Sequence, residues 1–399
     1  MSSILFSSLI GKINPSFTLE MTAKAAALRA QGVDVINFGV GEPDFNTPNH
    51  IIEAGKQAMD DGFTKYTPGS GMIDLKKALQ HKLKEQNNLE YTTEQIIVSN
   101  GAKQCLSVAC QALFDKGDKV LVFTPYWVSF PEFVKIAGAT PVFVNTISNK
   151  QYEPDFDDLE SKIDSNIKGV IINSPSNPTG GVWSDEAILR LLDLAHANNW
   201  FVISDETYEQ LVYDRDFTCI ENLNKNNVNV LTVMSMSKTY AMTGWRMGYA
   251  AGDKNLIKAM TKIQGQTTSC PNSISQRASI AALLGDHQPI NDMKKQFRSR
   301  RTTMFDELSA LPNVHCSFPG GAFYMFPDFS FYLNKKTKND KILQDTFDLS
   351  DYILNTAKVV TVPGDGFGAK GHLRFSFATS NEVIKKGVNA VRKALEQLK

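Results

Sequence analysis

The sequence has few cysteines, no excess of either charge and no long apolar run, and each of these lacks removes a class of protein. Five cysteines, Cys105, Cys110, Cys219, Cys270 and Cys316, are scattered through 399 residues. Disulfide scaffolds carry dense, even sets in short chains, so a reducing cytoplasm is the expected setting. Lys and Arg together number 42, and so do Asp and Glu. With no net basic field, nucleic acid and anionic membrane surfaces are poor partners. No stretch approaches the roughly 18 consecutive apolar residues of a spanning helix. No basic residue precedes Ile4-Leu5-Phe6, the first being Lys12, so neither a membrane protein nor an exported one is expected. Strict chemical motifs are missing as well. The histidines never form H-E-x-x-H, and neither G-x-S-x-G nor G-x-x-x-x-G-K-[ST] occurs, so no metal site is expected. Gly39-Val40-Gly41-Glu42-Pro43 begins like a dinucleotide fingerprint but meets proline where a helix should start.

What the chain does contain is strand, loop and helix in alternation. At roughly 150 residues per domain the length suggests two or three domains, and 42% hydrophobic content supports large cores. Ile96-Ile97-Val98, Val120 to Phe123, Val142-Phe143-Val144, Val170-Ile171-Ile172, Phe201-Val202-Ile203 and Val230 to Val233 are continuous apolar runs. Such strands are buried on both faces, which predicts an α/β fold with a mainly parallel sheet between helices. Thr47-Pro48 reads as an N-cap followed by first-turn proline, with Gly62 closing the helix. Leu75, Leu79 and Leu83 form one apolar stripe opposite Lys76, Lys77 and Lys84. Ser273 to Leu311 reads as one long linker helix, followed by strands at Phe323–Phe326, Val359–Val362 and His372–Phe377 and a helix from Asn381. The expected division is a large domain over 47–288 and a smaller α+β domain built from 1–46 and 289–399.

The strand ends carry the chemistry, since ligands in such folds bind at the carboxyl edge of the sheet. Val170-Ile171-Ile172 runs into Asn173-Ser174-Pro175-Ser176-Asn177-Pro178-Thr179-Gly180. Phe201-Val202-Ile203 ends in Ser204-Asp205-Glu206-Thr207-Tyr208, and Val230 to Val233 leads to Ser235-Met236-Ser237-Lys238 with Arg246 beyond. Together N-P-T-G, S-D-E-x-Y and S-x-S-K-x-x-x-M-x-G-W-R-x-G-Y resemble the class I pyridoxal-phosphate aminotransferases of fold type I. The resemblance runs from Pro15-Ser16 to the Arg374 strand, and Gly41-Glu42-Pro43-Asp44-Phe45 is similar to the bacterial aspartate aminotransferase branch.

The resemblance implies pyridoxal 5'-phosphate as cofactor, with Lys238 as the Schiff-base lysine and later proton carrier. Asp205 would pair with the protonated ring nitrogen. On physical grounds a carboxylate ending an apolar strand needs a cationic partner, although aspartate is also a good N-cap. Gly101-Ala102-Lys103 lies between a strand and a helix, where free backbone N–H groups attract an anion. Ser235, Ser237 and Arg246 would add to that phosphate grip. In the family pattern Tyr208 donates to the ring oxygen and Trp127 stacks on the ring, though either could be a core aromatic. Arg374 in His372-Leu373-Arg374-Phe375-Ser376 alternates with apolar neighbours, a placement suited to bidentate grip of the substrate carboxylate, or to an edge-strand surface arginine. Asn177 and the backbone N–H of Gly41 would complete that grip.

Two expectations concern partners and specificity. Tyr66, in a glycine-proline turn, resembles the tyrosine that crosses a homodimer interface to the neighbour's phosphate, which implies shared active sites. Lys103 is expected to meet the distal carboxylate of aspartate, or else to serve the phosphate or solvent. Asn14 departs from the family pattern, standing where members that act on prephenate carry lysine. The expected activity is transfer of an amino group from an L-amino acid, aspartate foremost, to 2-oxoglutarate by a ping-pong route. Other specificities (aromatic, alanine or prephenate), a C–S lyase, and a non-enzymatic sensor domain are the alternatives.

Overall fold

The computed structural model describes residues 4–15 and 17–399, so Ser16 of the Pro15-Ser16 motif lies outside the described residues. Near the N-terminus β1 (Ile36–Asn37) forms a short strand. An eight-stranded sheet follows, built from β2 (Ile96–Ser99), β3 (Lys119–Thr124), β4 (Thr140–Ile147), β5 (Glu153–Pro154), β6 (Ile167–Asn173), β7 (Phe201–Asp205), β8 (Val230–Ser235) and β9 (Gly248–Ala251). Its order is β2-β9-β8-β7-β6-β3-β4-β5. Neighbours from β4 to β8 run parallel, and only β5 and β9 are reversed. Every residue of β2 and β8 is buried, as continuous apolar strands between two helical layers require. Four further strands, β10 (Tyr324–Met325), β11 (Val359–Val360), β12 (Val362–Pro363) and β13 (Leu373–Ser376), complete the fold. Strand β13 lies between β10 and β12, whereas β11 pairs in parallel with β1. The two ends of the chain thus build one layer around a core that includes Phe38, Phe297, Phe323 and Phe375.

Three local expectations need correction. The stretch from Ser273 is two helices, Ser273–Leu284 and Gln288–Ser309. They part at Gly285, whose backbone is extended, and a Cβ there would lie 2.5 Å from the Ala281 carbonyl oxygen. The helix after Thr47-Pro48 spans Asn49–Asp60, with Pro48 at the N-cap position and no side-chain cap, and the Thr47 hydroxyl donates instead to the Ala241 carbonyl at 2.7 Å. In the helix Ile73–Asn87, Lys77 and Lys84 face solvent but Lys76 is buried, its ammonium donating to the Ser70 hydroxyl at 2.7 Å.

The same helix buries a second lysine. Lys82 is 3% exposed and ion-paired with Glu209, while also donating to Asn87 Oδ1 at 2.7 Å. Asn87 in turn donates to the other Glu209 oxygen, so each carboxylate oxygen has a side-chain partner. Removing one member of a buried pair strands the other charge. Lys82→Met is therefore expected to lower unfolding stability by about 3–5 kcal/mol, and adding Glu209→Met should recover much of the loss. Urea unfolding of the two variants checks this, and equal losses in both would contradict it.

Candidate active site

Three parallel strands deliver a polar residue to the same rim. Asn173 ends β6 and is in register with Asp205 at the end of β7, while Ser235 ends β8. Above this rim opens a cleft of ≈ 410 Å³. Of the residues expected from the sequence, Gly41, Ala102, Lys103, Trp127, Asn177, Asp205, Tyr208, Ser235, Ser237, Lys238, Arg246 and Arg374 all line it. Gly101 lies just behind, and Tyr66 does not line the cleft; on the isolated chain it is 90% exposed.

Lys238 stands on the short helix Met236–Thr239 that follows β8 directly. Its Nζ donates to the Gly41 carbonyl at 2.5 Å. The residue keeps some exposure through the cleft, yet its amine is enclosed, and desolvation brings its pKa down to about 8. Glu42 and Asp205 oppose that shift, whereas Arg246 and Arg374 add to it. Near neutral pH a useful fraction is therefore the free amine. Asp205 sits on the cleft floor, 6% exposed, with Oδ1 accepting the Thr207 backbone N–H at 3.1 Å. Burial pushes its carboxyl up to about 6 against the pull of Thr207 and Lys238.

One end of the cleft is made for an anion. Gly101, at φ +84°, caps the helix Ala102–Leu113. A Cβ on Gly101 would lie 2.6 Å from an Arg246 guanidinium nitrogen, so only glycine lets that cation approach the helix N-terminus. Ser235 Oγ donates to Ser237 Oγ at 2.8 Å, which places two hydroxyls beside it. At the other end Arg374, 3% exposed on β13, donates to Asn177 Oδ1 at 2.9 Å and to the Gly39 carbonyl at 2.8 Å. Its Nε is buried and has no hydrogen-bond partner among the described residues. A buried guanidinium with a spare donor suits a carboxylate. Between the two ends Trp127 forms a wall, with Lys103 Nζ 5.0 Å from its ring centre. Partial desolvation and the neighbouring Arg246 lower the Lys103 pKa.

Several lining residues were not among the sequence candidates. Asn173 holds the Asn177 loop to the sheet, since its Oδ1 accepts the Asn177 N–H at 2.8 Å and its Nδ2 donates to the Asp205 carbonyl at 3.1 Å. Its place at a strand end was a usable signal. Glu42 accepts from the Thr243 hydroxyl at 2.7 Å at the mouth. Tyr324, fully buried, had no signal at all inside the apolar run Phe323 to Phe326.

A mainly parallel sheet whose rim combines an enclosed amine, a buried carboxylate, an anion cradle and a carboxylate anchor defines a fold type I transferase. The chain belongs to the family of class I and II aminotransferases, whose model matches residues 33–391. It is 40% identical over 389 residues to an aspartate aminotransferase of Bacillus sp. strain YM-2, covering 97% of this chain and 98% of that one. A probable aspartate/prephenate aminotransferase of Aquifex aeolicus is also 40% identical, with 98% of each chain covered. The crystal structure of the aspartate aminotransferase from Rhizobium meliloti superimposes with a TM-score of 0.94 at 38% identity over the whole of both chains. The protein is accordingly an aminotransferase, and amino acids and oxo acids are its substrates. No helix among the described residues is long and apolar enough to cross a membrane.

Proposed function

We propose that this aminotransferase uses pyridoxal 5'-phosphate, takes aspartate as its main amino donor and 2-oxoglutarate as acceptor, and alternates between them in ping-pong fashion. The observation that carries the reading is the opposition of Asp205 and Lys238 across one cleft. A carboxylate buried there, its pKa already raised to about 6, favours a cationic ligand atom. A protonated ring nitrogen supplies that atom, while the cofactor's phosphate fits the cradle of Gly101, Ala102, Ser235, Ser237 and Arg246. When bound, the cofactor supplies an electron sink for the pair released at the substrate's α-carbon. The chain's own residues do the rest. Lys238 Nζ would be the attachment point and, once freed, would take up and return the proton of the substrate's α-carbon. Tyr208 would donate to the ring oxygen, and Trp127 would lie against the ring, since both side chains line the cleft. Arg374, steadied by Asn177, grips the α-carboxylate, with Gly41 leaving room for close approach.

The names of the relatives support aspartate, and so does the basic group at the cleft wall. A second carboxylate needs a cation, and Lys103, which lines the cleft, would supply it. Asn14 offers none, since its backbone and amide both donate to Glu132, at 3.1 Å and 3.2 Å. That arrangement favours aspartate over prephenate, the second activity printed for some relatives. The same reading takes 47–288 as the cofactor-holding domain, with 1–46 and 289–399 as the second, and takes a homodimer in which exposed Tyr66 reaches the neighbour's phosphate. All five cysteines are free, in keeping with work in the cytoplasm.

A half-reaction screen of the amino acids tests the proposal. Aspartate and glutamate should convert the visible band of the bound cofactor fastest; preference for an uncharged amino acid would contradict the reading. Lys103→Ala should lower kcat/KM for aspartate roughly ten- to a hundredfold, the worth of a charge-assisted contact of about 1.5–3 kcal/mol, with little change for alanine. An equal loss for both would assign Lys103 to the cofactor.

A further inference from the structure

Tyr208 and Tyr324 face each other with their hydroxyl oxygens 2.8 Å apart, both side chains buried. Tyr324 comes from β10, in the layer formed by the chain ends, and Tyr208 from the loop after β7, so the contact joins the two halves of the cleft. On its other side the Tyr324 ring lies 4.5 Å from the Arg374 guanidinium carbon. Its hydroxyl also stands at the carboxylate end, 3.3 Å from where a Cβ of Gly41 would be. One phenol thus touches both the tyrosine assigned to the cofactor and the arginine assigned to the substrate.

Either hydroxyl can be the donor in the pair, and the chemistry of the site decides which one is. A phenol has a single proton. If Tyr208 gives its proton to the cofactor's ring oxygen, it has none for Tyr324 and can only accept. We infer that Tyr324 is a positioning residue that donates to Tyr208, directs the Tyr208 proton into the cleft and strengthens its bond to the ring oxygen. The inference rests on the functional reading above. Chained hydrogen bonds reinforce one another by about 10–30% per link, so the effect is a modest one.

The bound cofactor's visible band reports this without any turnover. A donor to the ring oxygen favours the deprotonated form of the lysine-bound cofactor, which lowers the midpoint of its pH titration; weakening that donor raises the midpoint. The charged and titratable groups facing this position are Asp205 on β7, Glu42 in the N-terminal loop, Arg246 and Lys103 at the anion end, and Arg374 on β13, and none of them is altered in the variants. Tyr324→Phe keeps the ring against Arg374 and Phe323 and removes only the hydroxyl. Spectrophotometric titration of the holoenzyme should show a large upward shift in Tyr208→Phe. Tyr324→Phe should shift upward by roughly 0.1–0.7 pH unit, that share of a charged hydrogen bond. In the double variant Tyr324→Phe should add nothing, because it acts through Tyr208. An unmoved midpoint in Tyr324→Phe overturns the inference, as does a shift that persists in the Tyr208→Phe background. A wild-type holoenzyme without a titrating visible band overturns the functional reading itself, and the inference with it.

Discussion

Lys238→Ala is expected to cut the turnover of aspartate with 2-oxoglutarate roughly 10⁴-fold or more, because one atom serves as both the attachment point and the proton carrier. Among the described residues the only other lysine lining the cleft is Lys103, over the Trp127 wall. Lys238 Nζ, by contrast, is aimed at the Gly41 carbonyl and has a pKa near 8, so it can hold or release a proton close to neutral pH. Borohydride reduction of the wild type followed by peptide mapping checks the assignment. Label on any other lysine refutes it, and so does a variant whose turnover falls by less than about a hundredfold.

Asp205→Asn should cost about 3–5 kcal/mol in transition-state stabilisation, or roughly 10²–10⁴ in rate, as expected for losing one partner of a buried charge pair. Asparagine is isosteric and can still accept the Thr207 N–H, so the loop geometry survives while the negative charge does not. A pH signature accompanies the loss. Only ionised Asp205 attracts a cationic ring nitrogen, and in the free protein its carboxyl protonates near pH 6. Wild-type affinity for the cofactor should therefore weaken as pH falls through 6, and this dependence should vanish in Asp205→Asn. Activity within tenfold of wild type would leave Asp205 only its structural bond to the Thr207 N–H, in a turn and not at a helix start as the sequence also allowed.

Legibility in the sequence followed the physical character of each segment. β6, β7 and β8 were readable because strands buried on both faces are apolar throughout, and the polar residue that ends each one stands out against that background. β9 was missed, since Gly248-Tyr249-Ala250-Ala251 has none of the β-branched residues that mark a strand. Its small side chains have a packing cause. A Cβ on Gly248 would fall 2.2 Å from the Ala102 backbone nitrogen, so β9 can run this close to the anion turn only without one. Lys76 and Lys82 were misjudged or overlooked because a stripe argument assumes one buried face, whereas their helix also contributes to the interior around Glu209 and Ser70. Tyr324 was hidden by its neighbours: a tyrosine inside Phe323 to Phe326 looks like any other core aromatic until the fold brings its hydroxyl to Tyr208.

The bond from Arg374 to the Gly39 carbonyl spans 335 positions of chain, and Phe38 beside it is paired with Val360 and Ser376. On a ribosome adding 5–20 residues per second, the segment around Phe38 emerges roughly 20–70 s before these partners do. Throughout that interval the eight-stranded sheet can assemble, but an apolar strand near the N-terminus is left without its mates. The nascent polypeptide therefore carries an unpaired stretch ahead of an otherwise finished sheet until the C-terminal strands arrive to cover it.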